Sequence, residues 1–362
     1  MGDYIRLDEA CELTMGQSPN SNSYNETGDG LPFFQGNADF GEMYPKERVW
    51  CNAPTKIVET HTLLISVRAP IGALNFSCTR SCIGRGLAGL TPKIGYEIKY
   101  IYYCLKAKNV ELNAKGTGST FKAISKNALG EILIRCRDRG DQRLIIEILD
   151  KINTLVVARR HQIEYLDTLI KARFVEMFGD MANPECQHPK YKLIEACREA
   201  DDIKCGPFGT QLNKDEYKTE GVAVWEIPQI NSGFTERPIH FLTKEKAEQL
   251  KSYSIIPGDI AMSRKGNVGK CGLFPDNYEP GIIHSDVLRI RIDINRLNPC
   301  FMMHQLHYSG AIHRQIEMIS SGAIMAGINV TKLKHIEIHI PPLELQEQFA
   351  TFVAQVDKSK VV

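Results

Sequence analysis

Several chemistries are missing from this chain of 362 residues. No apolar run approaches the roughly 18 residues that a membrane span needs, and residues 1–10 lack the basic-then-apolar layout of a signal peptide. A cytoplasmic protein with no membrane partner is expected. The eleven cysteines contain no CxxC pair. The two nearest in sequence, Cys78 and Cys82, have no second pair and no neighbouring histidine, so reduced core thiols are expected rather than a metal site. No GxxxxGK phosphate loop occurs; GNVGK at 266–270 lacks both the spacing and the following hydroxyl. The dinucleotide-type GxGxxG and the GxSxG nucleophile turn are absent too. The Asn-Pro pairs at Asn183 and Asn298 run into Glu185 and Cys300, not into the Pro-aromatic pair with which amino methyltransferases hold a flipped base. His304, His307 and His313 fall on one predicted helix, but no acidic or cysteine ligand stands beside them. No catalytic residue, metal or cofactor is expected. A net charge of +1 does not advertise a nucleic-acid partner either.

Glycine and proline are missing from one long stretch, residues 141–178. It places Ile145, Leu149, Ile152, Val156, Ile163, Leu166, Ile170, Phe174 and Met177 three, four or seven apart, which is a helical stripe. A helix of that extent is a rod of about 57 Å, and such a rod usually joins two bodies. Before it, residues 62–67 and 132–134 have strand character, 96–108 has the apolar spacing of a short helix, and 16–32 is turn-rich. After it comes a short polar connector, Asn183 to Pro189.

Then the pattern begins again. YIRLDEACEL from Tyr4 is answered by YKLIEACRE from Tyr191, and LPFFQGNADFG from Leu31 by VAVWEIPQINSGF from Val222. SVRAPIGALNF from Ser66 is answered by SRKGNVGKCGLF from Ser263, and GSTFKAISKNALGEILI from Gly118 by GAIMAGINVTKLKHIEI from Gly322. Finally QRLIIEILDKIN from Gln142 is matched by QEQFATFVAQVD from Gln346. A period of about 200 residues is a duplicated domain plus helix, not a solenoid. The expected fold is α+β: two duplicated globules, 1–140 and 181–342, separated by a long helix, 141–180, that pairs antiparallel with a shorter C-terminal helix, 343–362. Pro341 and Pro342 set the start of the short helix. Its stripe of Leu345, Phe349, Phe352, Val353 and Val356 needs a partner, and part of the long helix is left uncovered.

The repeated polar features are the candidate site. Loops rich in backbone donors, amides and hydroxyls lie near the start of each globule, at Gly16, Gln17 and Ser18 and at Phe208, Thr210 and Gln211. Polar side chains follow the aromatic in each copy: Gln35 and Asn37 in the first, Gln229 and Asn231 in the second. A turn of Ser, base and Gly recurs at Ser66 and Arg68, and at Ser263, Arg264 and Lys265. Gln, Asn, Arg and Lys reach purine edges in the major groove, while Ser, Thr and backbone N–H suit phosphates. Any one of these fits an ordinary turn; their recurrence in both copies favours a shared function.

Taken in order, these motifs resemble the specificity subunit of type I restriction-modification systems over essentially the whole chain. The resemblance rests on GDIAMSRKGNVGKCGLFPDN at 258–277, GPFGTQL at 206–212, GINVTKLKHIEIHIPPLELQEQF at 327–349 and LDTLIKARFVEMFGD at 166–180. It implies two target-recognition domains, each reading half of a split site in double-stranded DNA. It also implies helices that space them and dock two methyltransferase subunits, with a restriction subunit joining through the complex. Chemistry and S-adenosylmethionine then belong to the partners, so the chain itself is not an enzyme. Leu166, Ile170 and Phe174 on the long helix, with Phe349 and Phe352 on the short one, are the candidate partner-binding residues. Two departures stand out. Arg137 and Asp138 replace Pro-Pro before the long helix, which predicts a looser start, and the short helix stops at Val362 where many relatives continue. The competing readings are a protein-interaction adaptor without DNA reading and a methyltransferase fused to its own recognition domain.

Overall fold

Each copy of the repeat opens on the same side-chain device. In this computed structural model, which describes residues 4–118, 122–179, 181, 186–320 and 327–361, the backbone N–H of Arg6 donates to the Glu9 carboxylate at 3.1 Å, and that of Lys192 donates to Glu195 at 2.6 Å. Each bond closes a one-turn helix, Leu7–Ala10 or Leu193–Ala196, whose Leu and Ala side chains are buried. Leu7 thus aligns with Leu193, and Ile5 with Tyr191. The sequence matching of Tyr4 to Tyr191 is corrected by one residue, because the glutamate cap sets the register and the aromatic does not. Residues 119–121 and 321–326 of the repeat, Asp180, and 183–185 of the connector lie outside the described residues.

The chain divides into two units, residues 1–159 and 160–362. In the first, an antiparallel sheet runs in the order Cys11–Met15, Leu87–Pro92, Leu63–Ser66, Leu74–Phe76. A second sheet pairs Leu31–Phe34 in parallel with Ser81–Ile83, which is antiparallel to Ile57–Val58. The second unit repeats both. Its first sheet runs Ile203–Cys205, Val287–Ile290, Ile260–Ser263, Cys271–Leu273, and in its second Val222–Trp225 lies parallel to Gly281–Ile283, which pairs with Ser254–Ile255. The central strands LLIS and IAMS are buried throughout, as their unbroken apolar runs require. The strands expected at 62–67 and 132–134 are present as Leu63–Ser66 and Leu133–Arg135.

The longer helices among the described residues are α1 (Ile98–Ala107), α2 (Arg139–Phe178), α3 (Pro299–Tyr308), α4 (Gly310–Ser320) and α5 (Leu343–Val361). Helix α2 starts without Pro-Pro but is not loose there, because the Asp138 carboxylate accepts the Asp141 N–H at 2.9 Å and caps it. The three histidines do not share one helix. His304 and His307 lie on α3 and His313 on α4, separated by extended backbone at Ser309. Among the described residues no three His, Cys, Asp or Glu side chains gather as a metal site.

A buried glutamine ties each helix pair together. In the first unit, Gln142 accepts the Glu97 N–H at 2.8 Å through its amide oxygen and donates to the Gly95 and Arg137 carbonyls, both at 2.9 Å. In the second, Gln346 accepts the Asn298 N–H at 2.8 Å and donates to Arg296 and Pro341 at 3.3 and 2.7 Å. Each thus satisfies an orphan N–H at the start of α1 or α3 and two loop carbonyls. Ion pairs reinforce the first pairing: Lys99 and Tyr103 both reach Asp150 at 2.7 Å, and Arg139 and Arg143 both reach Glu97.

In the second unit α5 packs antiparallel to the end of α2. Phe349, near the start of α5, meets Phe174 and Phe178, while Lys360, near its end, pairs with Asp167 at 2.7 Å. Ile170, Phe174 and Phe349 are therefore core residues and Leu166 and Phe352 are half-buried. As candidate partner contacts Ile170, Phe174 and Phe349 are corrected: they are buried where α2, α3 and α5 meet, and Leu166 and Phe352 pack at the edge of that core. Among its large apolar side chains α2 leaves Leu144, Ile148, Ile152, Leu155, Val156, Tyr165, Leu169 and Val175 exposed.

Replacing Gln142 or Gln346 with Leu keeps the volume roughly but strands one buried N–H and two carbonyls, at about 1–3 kcal/mol for each unsatisfied group. Each variant should lose at least about 2 kcal/mol in chemical denaturation; an unchanged midpoint would remove the clamp from this role. Burial also lowers the pKa of His304 and His339 below their ordinary 6.5. The folded chain prefers them neutral, so the unfolded chain binds more protons as pH falls. Stability should hold above about pH 6.5 and decline towards pH 5. In His304→Gln the decline should be shallower, measured by denaturant midpoints across that range.

Candidate nucleic-acid interface

In the first unit a polar cavity of about 520 Å³ brings together Gln35, Asn37 and Arg68 with two residues that sequence reasoning missed, Arg48 and Arg85. The loop is built by Asp39, whose carboxylate accepts the backbone N–H groups of Gln35 at 2.7 Å and Gly36 at 3.2 Å. Arg48 holds that carboxylate at 2.5 Å and donates to the Ala38 carbonyl. Gln35 is thereby exposed and Asn37 half-exposed, and neither amide side chain has a hydrogen-bond partner among the described residues. The exposed guanidinium groups of Arg68 and Arg85 likewise make no hydrogen bond or ion pair among the described residues. Three guanidiniums against one carboxylate make this face attractive to anions, and free amides can pair with a base edge.

Gly16, Gln17 and Ser18 are fastened to the strand behind this face. Gly16 donates to Leu87 and Gln17 to Ile83 through their backbones, the Gln17 carbonyl accepts from Thr55, and the Ser18 hydroxyl accepts the Arg85 N–H at 3.3 Å. A Cβ on Gly16 would lie 2.1 Å from the Gly84 carbonyl oxygen, so only glycine fits. This loop leaves the Gln17 side chain exposed and sets the position of Arg85.

The second unit presents different chemistry on the same frame. The strand pairing aligns Arg68 with Lys265, Arg85 with Ser285 and Gly86 with Asp286. Lys265 is consequently paired with Asp286 at 2.8 Å, whereas Arg68 faces a glycine and stays free. Arg264 is also engaged: it donates to the Ile328 and Ser285 carbonyls at 3.1 and 3.4 Å and stacks over the half-exposed Phe208 at 4.8 Å. Thr210 is exposed, and Gln211 uses its oxygen to accept the Phe208 N–H and the Tyr253 hydroxyl, keeping its amide nitrogen for a ligand. At the position of Gln35, Glu226 binds His240 at 2.7 Å, and His240 stacks on Tyr217.

Three expected contacts are corrected to supporting roles by burial. Ser66, 1% exposed, bonds the Pro70 carbonyl and the Ala73 N–H inside its own turn. Ser263 is fully buried, and Gln229, 3% exposed, caps Glu226 and holds the Arg237 carbonyl. Asn231 is half-buried, its carbonyl accepting from Lys270 at 2.7 Å. The Ser-base-Gly signature thus marks a turn whose serine is internal and whose base alone faces out.

The family model for the type I restriction modification DNA specificity domain matches residues 3–165 and 204–361. The chain belongs to the type I restriction-modification specificity subunits. A putative type I restriction enzyme specificity subunit, MjaX, of Methanocaldococcus jannaschii is 39% identical over 157 residues, covering 43% of this chain and 37% of that protein. The EcoBI specificity subunit of Escherichia coli is 19% identical over 381 residues, covering 97% of this chain and 78% of that one. The structure of a type I restriction-modification S subunit from M. genitalium shares the fold, with a TM-score of 0.58 at 16% identity over 99% of this chain and 90% of that one. The chain spans less than half the length of the two M. jannaschii relatives it matches. No helix among the described residues is long and apolar enough to cross a membrane.

Each phosphate contact contributes about 0.9 to the slope of log affinity against log salt. Arg68→Ala should therefore lower that slope by about one. Lys265→Ala should change it little, while Asp286→Asn, which frees Lys265, should raise affinity for duplex DNA. Salt titration of duplex-DNA binding reads all three, and equal effects of the Arg68 and Lys265 variants would refute this asymmetry.

Proposed function

We propose that this chain is the non-catalytic reader of a bipartite DNA site and the scaffold on which methyltransferase subunits act. In this reading residues 1–140 and 181–342 are the two target-recognition domains, and residues 141–180 and 343–362 are the spacer helices. The observation that carries it is the pairing of one repeated frame with unlike surface chemistry. Gln35, Arg68 and Arg85 in the first unit stand where Glu226, Lys265 and Ser285 stand in the second. Two copies of one frame with different side chains at the same places suit two different half-sites. Double-stranded DNA, two methyltransferase subunits and, through them, a restriction subunit are the partners. Adenine methylation and any ATP-driven cleavage belong to those subunits.

Direct base contact falls to Gln35, Asn37 and Gln17 in the first unit and to Thr210, Gln211 and Phe208 in the second, with Arg68 and Arg85 on phosphates and Lys265 held back by Asp286. Arg264, Ser66, Ser263, Gln229 and Asn231 hold these loops. Exchanging residues 1–140 for the corresponding domain of a relative should change one half-site and leave the other and the spacer intact. Methylome sequencing of cells carrying the hybrid reads this directly; alteration of both half-sites, or of neither, would overturn the assignment. The adaptor reading takes its support from the net charge of +1, and sequence-selective, salt-dependent DNA retention by the complex would exclude it.

A further inference from the structure

The duplication makes the second unit a template for the first. There Phe174 and Phe178, one helical turn apart, rest on Phe301 and Phe349, and Phe174 also on Tyr308, with ring centroids 4.7 to 5.8 Å apart. The glutamine clamps fix the correspondence, because Gln142 grips Glu97 as Gln346 grips Asn298. Tyr100 therefore stands where Phe301 does and Ala107 where Tyr308 does, while Ile145 and Leu149 take the places of Phe349 and Val353. These four first-unit residues line an open cavity of about 370 Å³. Phe349 and Val353 are buried beneath their aromatic cover, whereas Ile145 and Leu149 are only half-buried and Ala107 is exposed. The rim differs as well: Arg135 and Arg137 replace His339 and Pro341, and Lys108, paired with Glu111, replaces Ser309.

We propose that this groove of the first unit is a docking seat for a helix of a partner polypeptide, one that carries two aromatic side chains a turn apart and acidic residues beside them. The aromatic pair follows from the filled copy, where the same frame buries such a pair. The acidic neighbours follow from Arg135 and Arg137, which a basic occupant would confront unpaired. A second copy of this chain does not meet the requirement. Its own Phe174 and Phe178 are committed to a core and flanked by Lys171 and Arg173, and among the described residues Phe208 is the only phenylalanine with a largely exposed side chain. The seat involves no DNA contact, so its failure and that of the DNA-reading assignment are separable.

The probe is a fluorescent peptide with the sequence of residues 160–179 in which Lys171→Glu and Arg173→Glu supply the acids. Its control also carries Phe174→Ala and Phe178→Ala. The full chain should bind the aromatic peptide at least about tenfold more tightly than the control by fluorescence anisotropy. Ala107→Trp fills the groove from an exposed position as Tyr308 fills its counterpart. It should abolish that preference with the melting temperature unchanged, and Arg137→Glu should weaken binding without filling the groove. Because only the first unit carries Ala107, loss in this variant separates the seat from exchange into the second unit. Equal binding of the two peptides, or full binding to Ala107→Trp, would overturn the proposal. So would a chain that sediments as a dimer and becomes monomeric on Ala107→Trp, since the occupant would then be a second copy.

Discussion

The arrangement depends on one side chain used twice. A glutamine amide offers an acceptor and two donors from one planar group, and Gln142 and Gln346 use all three on a helix start and two loop carbonyls. Neither is exposed to water, so these bonds have no solvent substitute. Once the glutamine is placed, the angle and register between α1 and α2, and between α3 and α5, are set, and the apolar residues of each pair fall into contact. The first pair is then completed by ion pairs around Asp150 and Glu97, the second by stacked aromatics around Phe174. One fixed joint thus supports two kinds of packing.

The same separation of frame from surface runs through the candidate interface. In the Ser-base-Gly turn Ser66 is spent on the turn itself and Ser263 is buried within its own, and the base following each is offered outwards. Whether that base is available depends on what the neighbouring strand end carries: glycine at 86, aspartate at 286. Freedom of Arg68 and restraint of Lys265 follow from that one difference. In the second unit the load shifts towards Phe208, Thr210 and the remaining amide donor of Gln211, a surface less cationic than the first.

A near-neutral chain can therefore still present a basic face. Of the charged groups, many acids are consumed in internal work: Asp39 builds a loop, Asp259 is buried against Arg291, and Asp150 and Glu97 hold helices. Net charge counts these equally with exposed groups, which is why it argued against nucleic acid while the local distribution does not.

The sequence by itself determined the duplication, the long helix, the short helix opposite it and the family. Periodicity and internal repetition are written in one dimension, and a helix of this length without Gly or Pro has few alternatives. It also marked the glutamines as repeated, though not what they hold. Only the tertiary structure decided which repeated residues touch water. Ser66 and Ser263 are repeated because the frame needs them inside, while Gln229, Ile170, Phe174 and Phe349 are buried by a loop or a core that repetition did not mark. Arg48 and Arg85 have no repeated partner to betray them, and they reach the site through strand pairing and a loop closed by Asp39. Repetition reports a shared constraint, and folding and binding impose it alike; exposure, which distinguishes them, is set by residues distant in sequence.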